Sequence, residues 1–84
     1  MLSVEDEHRY KAVITSTFGL ADEMGVEDLS YQEIKQWDSL GHMALMAALE
    51  DEFSIEFEID DIIDFSSVKI GRGILAKYAL KQRL

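Results

Sequence analysis

Ser39 stands between Asp38 and Leu40, with His42 three residues further on. A serine hydroxyl is a weak nucleophile until a base takes its proton, and a self-sufficient hydrolase also needs a third group to orient that base. Asp38 and His42 do not complete such a set, which argues against a hydrolase built on Ser39 and His42. The same serine suits a different chemistry. Asp38 is a favoured N-cap immediately ahead of an apolar run. It would put Ser39 in the first turn of a helix, where backbone N–H groups lack intrahelical partners and the helix dipole is positive. A phosphate ester on Ser39 is well placed there, and the base that activates the hydroxyl then belongs to another enzyme. Taken alone, the tripeptide Asp38-Ser39-Leu40 fits an ordinary exposed serine after a capping aspartate equally well. The chain has no cysteine. Disulfides, thiolate metal sites and a protein thiol nucleophile are therefore excluded, and any thiol chemistry has to arrive with a cofactor.

The other candidate groups carry less chemistry. His42 shares a helix face with Ser39 and can pair with a phosphate when protonated; the plainer expectation is a solvated surface histidine, as it is for His8. Glu56, Glu58, Asp60, Asp61 and Asp64 could gather a cation weakly, but they lack the glycine and ligand spacing of a calcium loop, so no metal site is expected. Trp37 reads as an anchor that packs the preceding loop on the core, the alternative being part of a docking enzyme's footprint.

These residues need a scaffold, and 84 residues provide one domain spanning 1–84 with a compact core. Apolar residues make up 48% of the chain, enough for a folded protein rather than a disordered one. Ser3 is suited to cap a helix over about residues 4 to 18, with Glu5, Asp6 and Glu7 in its first turn and Tyr10, Val13, Ile14 and Phe18 on one face. Gly19 and Gly25 punctuate a long connection anchored by Leu29, Ile34 and Trp37, with short helical turns. A second helix is expected from the Asp38 cap to Phe53, about 22 Å long. A short third follows around Asp60 to Phe65, and a last helix begins after Ser66 or Ser67 with Val68, Gly71, Leu75 and Tyr78 in one stripe. Its basic residues near the end suit the negative pole, while Gly71 and Gly73 weaken it by roughly 1 kcal/mol each. The alternating stretch from Phe53 to Ile59 has no strand to pair with and reads as an extended linker. The fold class is all-α, with three main helices and one short third helix.

The net charge of −9 argues against nucleic acid and anionic lipid as partners and favours basic protein surfaces. The charge is segregated along the chain. Asp38, Glu50, Asp51, Glu52, Glu56, Glu58, Asp60, Asp61 and Asp64 occupy a stretch without Lys or Arg, whereas Lys69, Arg72, Lys77, Lys81 and Arg83 follow without an acid. No basic leader precedes an apolar stretch and no apolar run is long enough to span a bilayer, so a cytoplasmic monomer without membrane insertion is expected.

The stretch Trp37-Asp38-Ser39-Leu40, Met43, Leu45-Met46, Ala48-Leu49-Glu50-Asp51-Glu52-Phe53, Ile55-Glu56-Phe57, Ile62 and Phe65-Ser66-Ser67-Val68 closely resembles the acyl carrier protein family. The likeness runs without a gap from about Trp37 to Val68 and more loosely over both flanks. It implies a four-helix bundle in which Ser39 bears 4'-phosphopantetheine, transferred from coenzyme A by a phosphopantetheinyl transferase using Mg²⁺. The chain would then be a carrier of acyl thioesters and not itself an enzyme. By the same resemblance Asp38 and Leu40 flank the modified serine. Acyl-loading and acyl-processing enzymes with basic docking surfaces would meet His42, Met43, Met46, Glu50, Asp51, Glu52, Asp60 and Asp61.

Gly41 and Ala44 depart from this pattern, standing where many fatty-acid carriers have acids, which suggests a specialised pathway with its own partner set. Met43 to Leu49 contains no polar side chain. That segment is either wedged among the other helices, an exposed partner patch, or a wall of an acyl-chain cavity. A different function class also remains open: a small acidic helical adaptor that binds a basic partner and never has Ser39 modified.

Overall fold

A computed structural model describes residues 2–21 and 25–82, with side chains described through residue 79. It contains four helices, α1 (Val4–Phe18), α2 (Ser39–Phe53), α3 (Ile59–Asp64) and α4 (Val68–Gln82), with a 3₁₀ turn at Val26–Asp28. Among the described residues there is no strand, only an isolated antiparallel bridge between Ser30 and Ser67. The domain is therefore all-α, with three long helices and one short. Among the same residues no helix is long and apolar enough to cross a membrane.

Local chemistry sets the helix ends. Ser3 Oγ accepts the Asp6 N–H at 3.1 Å to start α1, and Gly19 ends it at φ 66°, a left-handed conformation that glycine adopts without a Cβ penalty. Of the two candidate caps for α4, Ser67 takes the role, its Oγ accepting the Ile70 N–H at 3.0 Å. The expected basic end of α4 at Lys81 and Arg83 lies outside the described side chains. The segment from Ile55 to Glu58 forms no strand, and its backbone is tied instead to side chains, the Phe57 N–H to the Glu50 carboxylate and the Glu58 N–H to the Tyr78 hydroxyl.

The core gathers Tyr10, Ile14 and Phe18 of α1, Leu45, Met46, Leu49 and Phe53 of α2, Val68, Ile74 and Leu75 of α4, and Trp37 and Phe65 from the connections. Met46, read from sequence as a partner contact, is 1% exposed. The helical period puts Leu45, Met46 and Leu49 together on the inward face, so Met46 packs the interior instead of meeting a partner. The apolar run in α2 is likewise not buried on all sides: Met43, Ala44 and Ala47 face solvent.

Polar ties hold the helices in register. Arg9 of α1 reaches the end of α2, donating from Nε to the Glu52 carboxylate at 2.8 Å and from a terminal nitrogen to the Glu52 carbonyl at 2.6 Å. The latter satisfies one of the last carbonyls of that helix. Arg72 of α4 grips the Glu27 carboxylate with both terminal nitrogens and Glu7 with Nε at 2.9 Å. A short tie of this kind needs α4 close to α1, and Gly71 permits it. A Cβ at Gly71 would stand 2.1 Å from Phe65 Cζ and 2.6 Å from the Tyr10 hydroxyl, whereas one at Gly73 would meet nothing within 4 Å. The two glycines that look alike in sequence therefore have opposite roles.

Two measurements follow from this packing. Gly71→Ala should lower unfolding free energy by about 2 kcal/mol through overpacking, and Gly73→Ala should raise it by up to about 1 kcal/mol through helix propensity; urea titrations of the two variants compare them directly, and equal effects would contradict the packing. The hydrogen bonds from Arg72 also hold the Glu27 carboxyl below the ordinary glutamate value. A lowered folded-state pKa adds stability above the unfolded value that is lost as pH falls through the folded one. The urea midpoints of wild type and Glu27→Gln should accordingly differ above the ordinary glutamate value and converge as pH falls through the lowered folded-state one.

Candidate functional site

Ser39 is the first residue of α2 and is exposed. Asp38 caps the helix, its carboxylate accepting the Gly41 N–H at 2.8 Å while its carbonyl accepts the His42 N–H at 2.7 Å. One carboxylate oxygen and the carbonyl of Asp38 are thus engaged at the helix start, and the Ser39 hydroxyl has no hydrogen bond among the described residues. The backbone N–H groups of Ser39 and Leu40 are left without intrahelical acceptors, as the first turn of any helix leaves them.

The loop before Ser39 is locked from two sides. The Tyr31 N–H donates to the Ser66 carbonyl and the Val68 N–H to the Leu29 carbonyl, each at 2.9 Å, which ties the loop to the α3–α4 connection. Trp37 then plugs the core at 0% exposure, against Phe18 with ring centroids 5.4 Å apart. The anchor reading of Trp37 is the one that holds. At Gly41 a Cβ would lie 1.8 Å from the Gln36 carbonyl oxygen, so the loop rests directly on the first turn of α2. The absence of an acid at this position has a steric reason, since no side chain fits.

His42 is not the solvated histidine expected from sequence. Its Nδ1 accepts the Trp37 Nε1–H at 3.0 Å, and its Nε2 lies 2.8 Å from the Ile62 carbonyl of α3. Because Nδ1 is an acceptor and the carbonyl cannot donate, the proton sits on Nε2 and the ring is the neutral tautomer. With both nitrogens engaged, His42 has none to offer Ser39 as a base. The signal that could have found this arrangement is the spacing of Trp37 and His42 across a helix start, together with the need of a buried indole for an acceptor. His8, by contrast, is exposed as expected.

Beside Ser39 a groove of about 350 Å³ opens between α2 and α3, lined by His42 and Met43 of α2 and Ile62 and Ile63 of α3, with Tyr31 and Phe65 completing the apolar lining. The apolar rim continues outward to Leu40, which is 81% exposed, with Met43 at 55% and Ile63 at 71%. Exposed Asp60 and Asp64 lie on α3.

The expected acidic docking residues separate into two groups. Glu50 accepts the Phe57 N–H at 2.8 Å and so secures the α2–α3 connection, Glu52 is held by Arg9, and Asp61 pairs with Lys77 at 3.0 Å and with the Tyr78 hydroxyl. Asp51 and Asp60 are exposed and carry no such tie among the described residues. Among those residues no group of three or more acidic or histidine side chains could hold a metal ion.

Replacing Asp38 by Ala should cost about 1 kcal/mol in urea unfolding, while Asn, which caps equally well, should cost a few tenths. A matched loss in both variants would place the role of Asp38 outside helix capping. Compared with protein-family models, with curated proteins and with solved structures, the chain has no match in any of the three.

Proposed function

We propose that this chain is an acyl carrier protein, loaded on Ser39 with 4'-phosphopantetheine. The observation that carries the reading is Ser39 itself, an exposed hydroxyl without a base, at the first position of a capped helix and on the rim of an apolar groove. Such a residue cannot activate itself, and it is open to an enzyme that can. The residues around it fit the group: no side chain crowds the hydroxyl, and the adjoining surface is apolar where a flexible arm would rest.

In the site of a phosphopantetheinyl transferase, Ser39 Oγ attacks the β-phosphorus of coenzyme A. The Oγ–P bond forms, the bond from that phosphorus to the oxygen of 3',5'-ADP breaks, and the hydroxyl proton passes to a base of the transferase. The chain contributes rigidity to this step, since Asp38 holds the first turn and Trp37 holds the loop that feeds it. The unclaimed N–H groups at the start of α2 favour the resulting phosphodiester anion. When attached, the arm supplies the terminal thiol that the cysteine-free chain lacks and holds cargo as a thioester.

Docking follows from the same surface. Leu40, Met43 and Ile63 offer apolar contact, with Asp51, Asp60 and Asp64 available to Arg and Lys of partner enzymes. Charge of this kind speeds encounter without requiring tight binding. The carrier would work as a cytoplasmic monomer in a fatty-acid-like or specialised biosynthetic pathway. The adaptor reading draws on the same exposed apolar and acidic residues and gives Ser39 no role.

Intact mass after incubation with coenzyme A, Mg²⁺ and a broad-specificity transferase separates the two. The wild type should gain one phosphopantetheine and Ser39→Ala none. No gain with several transferases, on protein shown to be folded, would reject the carrier and leave the adaptor.

A further inference from the structure

We propose that His42 is a specificity-determining gate: it closes the interior behind Ser39, so that the carrier shelters only short acyl groups, of about six carbons or fewer, in the outer groove between α2 and α3. This rests on the carrier reading above. Ser39 is itself part of the groove's lining, so cargo held on that residue has the groove within reach. The groove's lining stops at His42 and Phe65, and Trp37, Leu45, Met46 and Leu49 lie fully buried without contributing to it.

The floor at that point is a set of rings held in place. His42 stacks on Trp37 with centroids 6.3 Å apart and planes 16° apart, and meets Phe65 and Tyr31 edge-on at 6.1 and 5.3 Å. Its two ring nitrogens are bonded to opposite sides, one to the buried indole and one to the α3 backbone. A chain passing inward has to part α2 from α3 and break the bond to Ile62. Swinging the ring aside strips the acceptor from an indole N–H whose residue is at 0% exposure. A buried donor left unpaired disfavours the open state by tenfold or more, on the order of a full hydrogen bond's desolvation.

The volume sets the length. At roughly 30 Å³ per heavy atom, the space a water takes in the liquid, about 350 Å³ holds on the order of a dozen atoms. The thioester and the amide end of the arm take about half of these, leaving room for about six acyl carbons.

The test loads Ser39 from acetyl-, butyryl-, hexanoyl-, octanoyl- and decanoyl-coenzyme A with the transferase, confirms loading by mass, and follows thioester cleavage by hydroxylamine. In the wild type, cleavage should slow with each sheltered methylene, by up to about fourfold, as far as hexanoyl and no further. In His42→Ala the slowing should continue through decanoyl. Met43→Trp, which fills the groove from an exposed position, should flatten the series from butyryl onward and keeps the test decisive if His42→Ala does not fold. A wild-type series that is flat throughout, or that slows through decanoyl, would overturn the gate, as would a folded His42→Ala that matches wild type. Failure to load Ser39 with any donor would instead overturn the carrier reading beneath it.

Discussion

A tryptophan ring that is wholly buried must find an acceptor for its indole N–H, and in this domain the acceptor is His42. Much of the architecture near Ser39 depends on that one bond. It fixes the tautomer of His42, which leaves Nε2–H to reach the Ile62 carbonyl and so joins the loop, α2 and α3 through a single ring. α3 has six residues and none of them is buried. A helix so short is unstable alone, and its position comes from ties such as this one and the pairing of Asp61 with Lys77 and Tyr78.

The same bond separates two regions with different duties. Inward of His42 the packing is aromatic and aliphatic, with no buried side-chain polar atom left unpaired among the described residues. Outward of it lie an exposed serine, an apolar groove and acids such as Asp51 and Asp60 that carry no tie among the described residues. The two faces of α2 are thereby set apart: Leu45, Met46 and Leu49 pack the core, and Ser39, Leu40 and Met43 face outward.

The charge pattern illustrates how linear order misleads. From Gln36 onward acids and bases occupy separate stretches of the sequence, yet Lys77 meets Asp61, and Arg72 and Lys69 reach back to Glu7, Glu27 and Asp28 in the mixed first third. Several charges that look available for a partner are therefore answered inside the molecule, at exposed or half-exposed positions where each pair contributes little to stability. They also reduce the number of acids left exposed without an ion pair among the described residues.

The sequence by itself determined the four helices, the capping roles of Ser3 and Asp38, the burial of Trp37, and the place of Ser39 at an exposed helix start. Caps, helical periodicity and glycine stops act between residues three or four apart, so they are written where they operate. Only the tertiary structure decided that Gly71 sits against Phe65 and Tyr10 while Gly73 meets open space, and that Glu50, Glu52 and Asp61 are committed within the chain. It also decided that the half-buried His42 reaches α3 through the Ile62 carbonyl. These outcomes depend on partners as far as 43 or 65 residues away, as with Arg9 and Glu52 or Arg72 and Glu7. No local pattern encodes such partners, because they exist only once packing has brought the helices together.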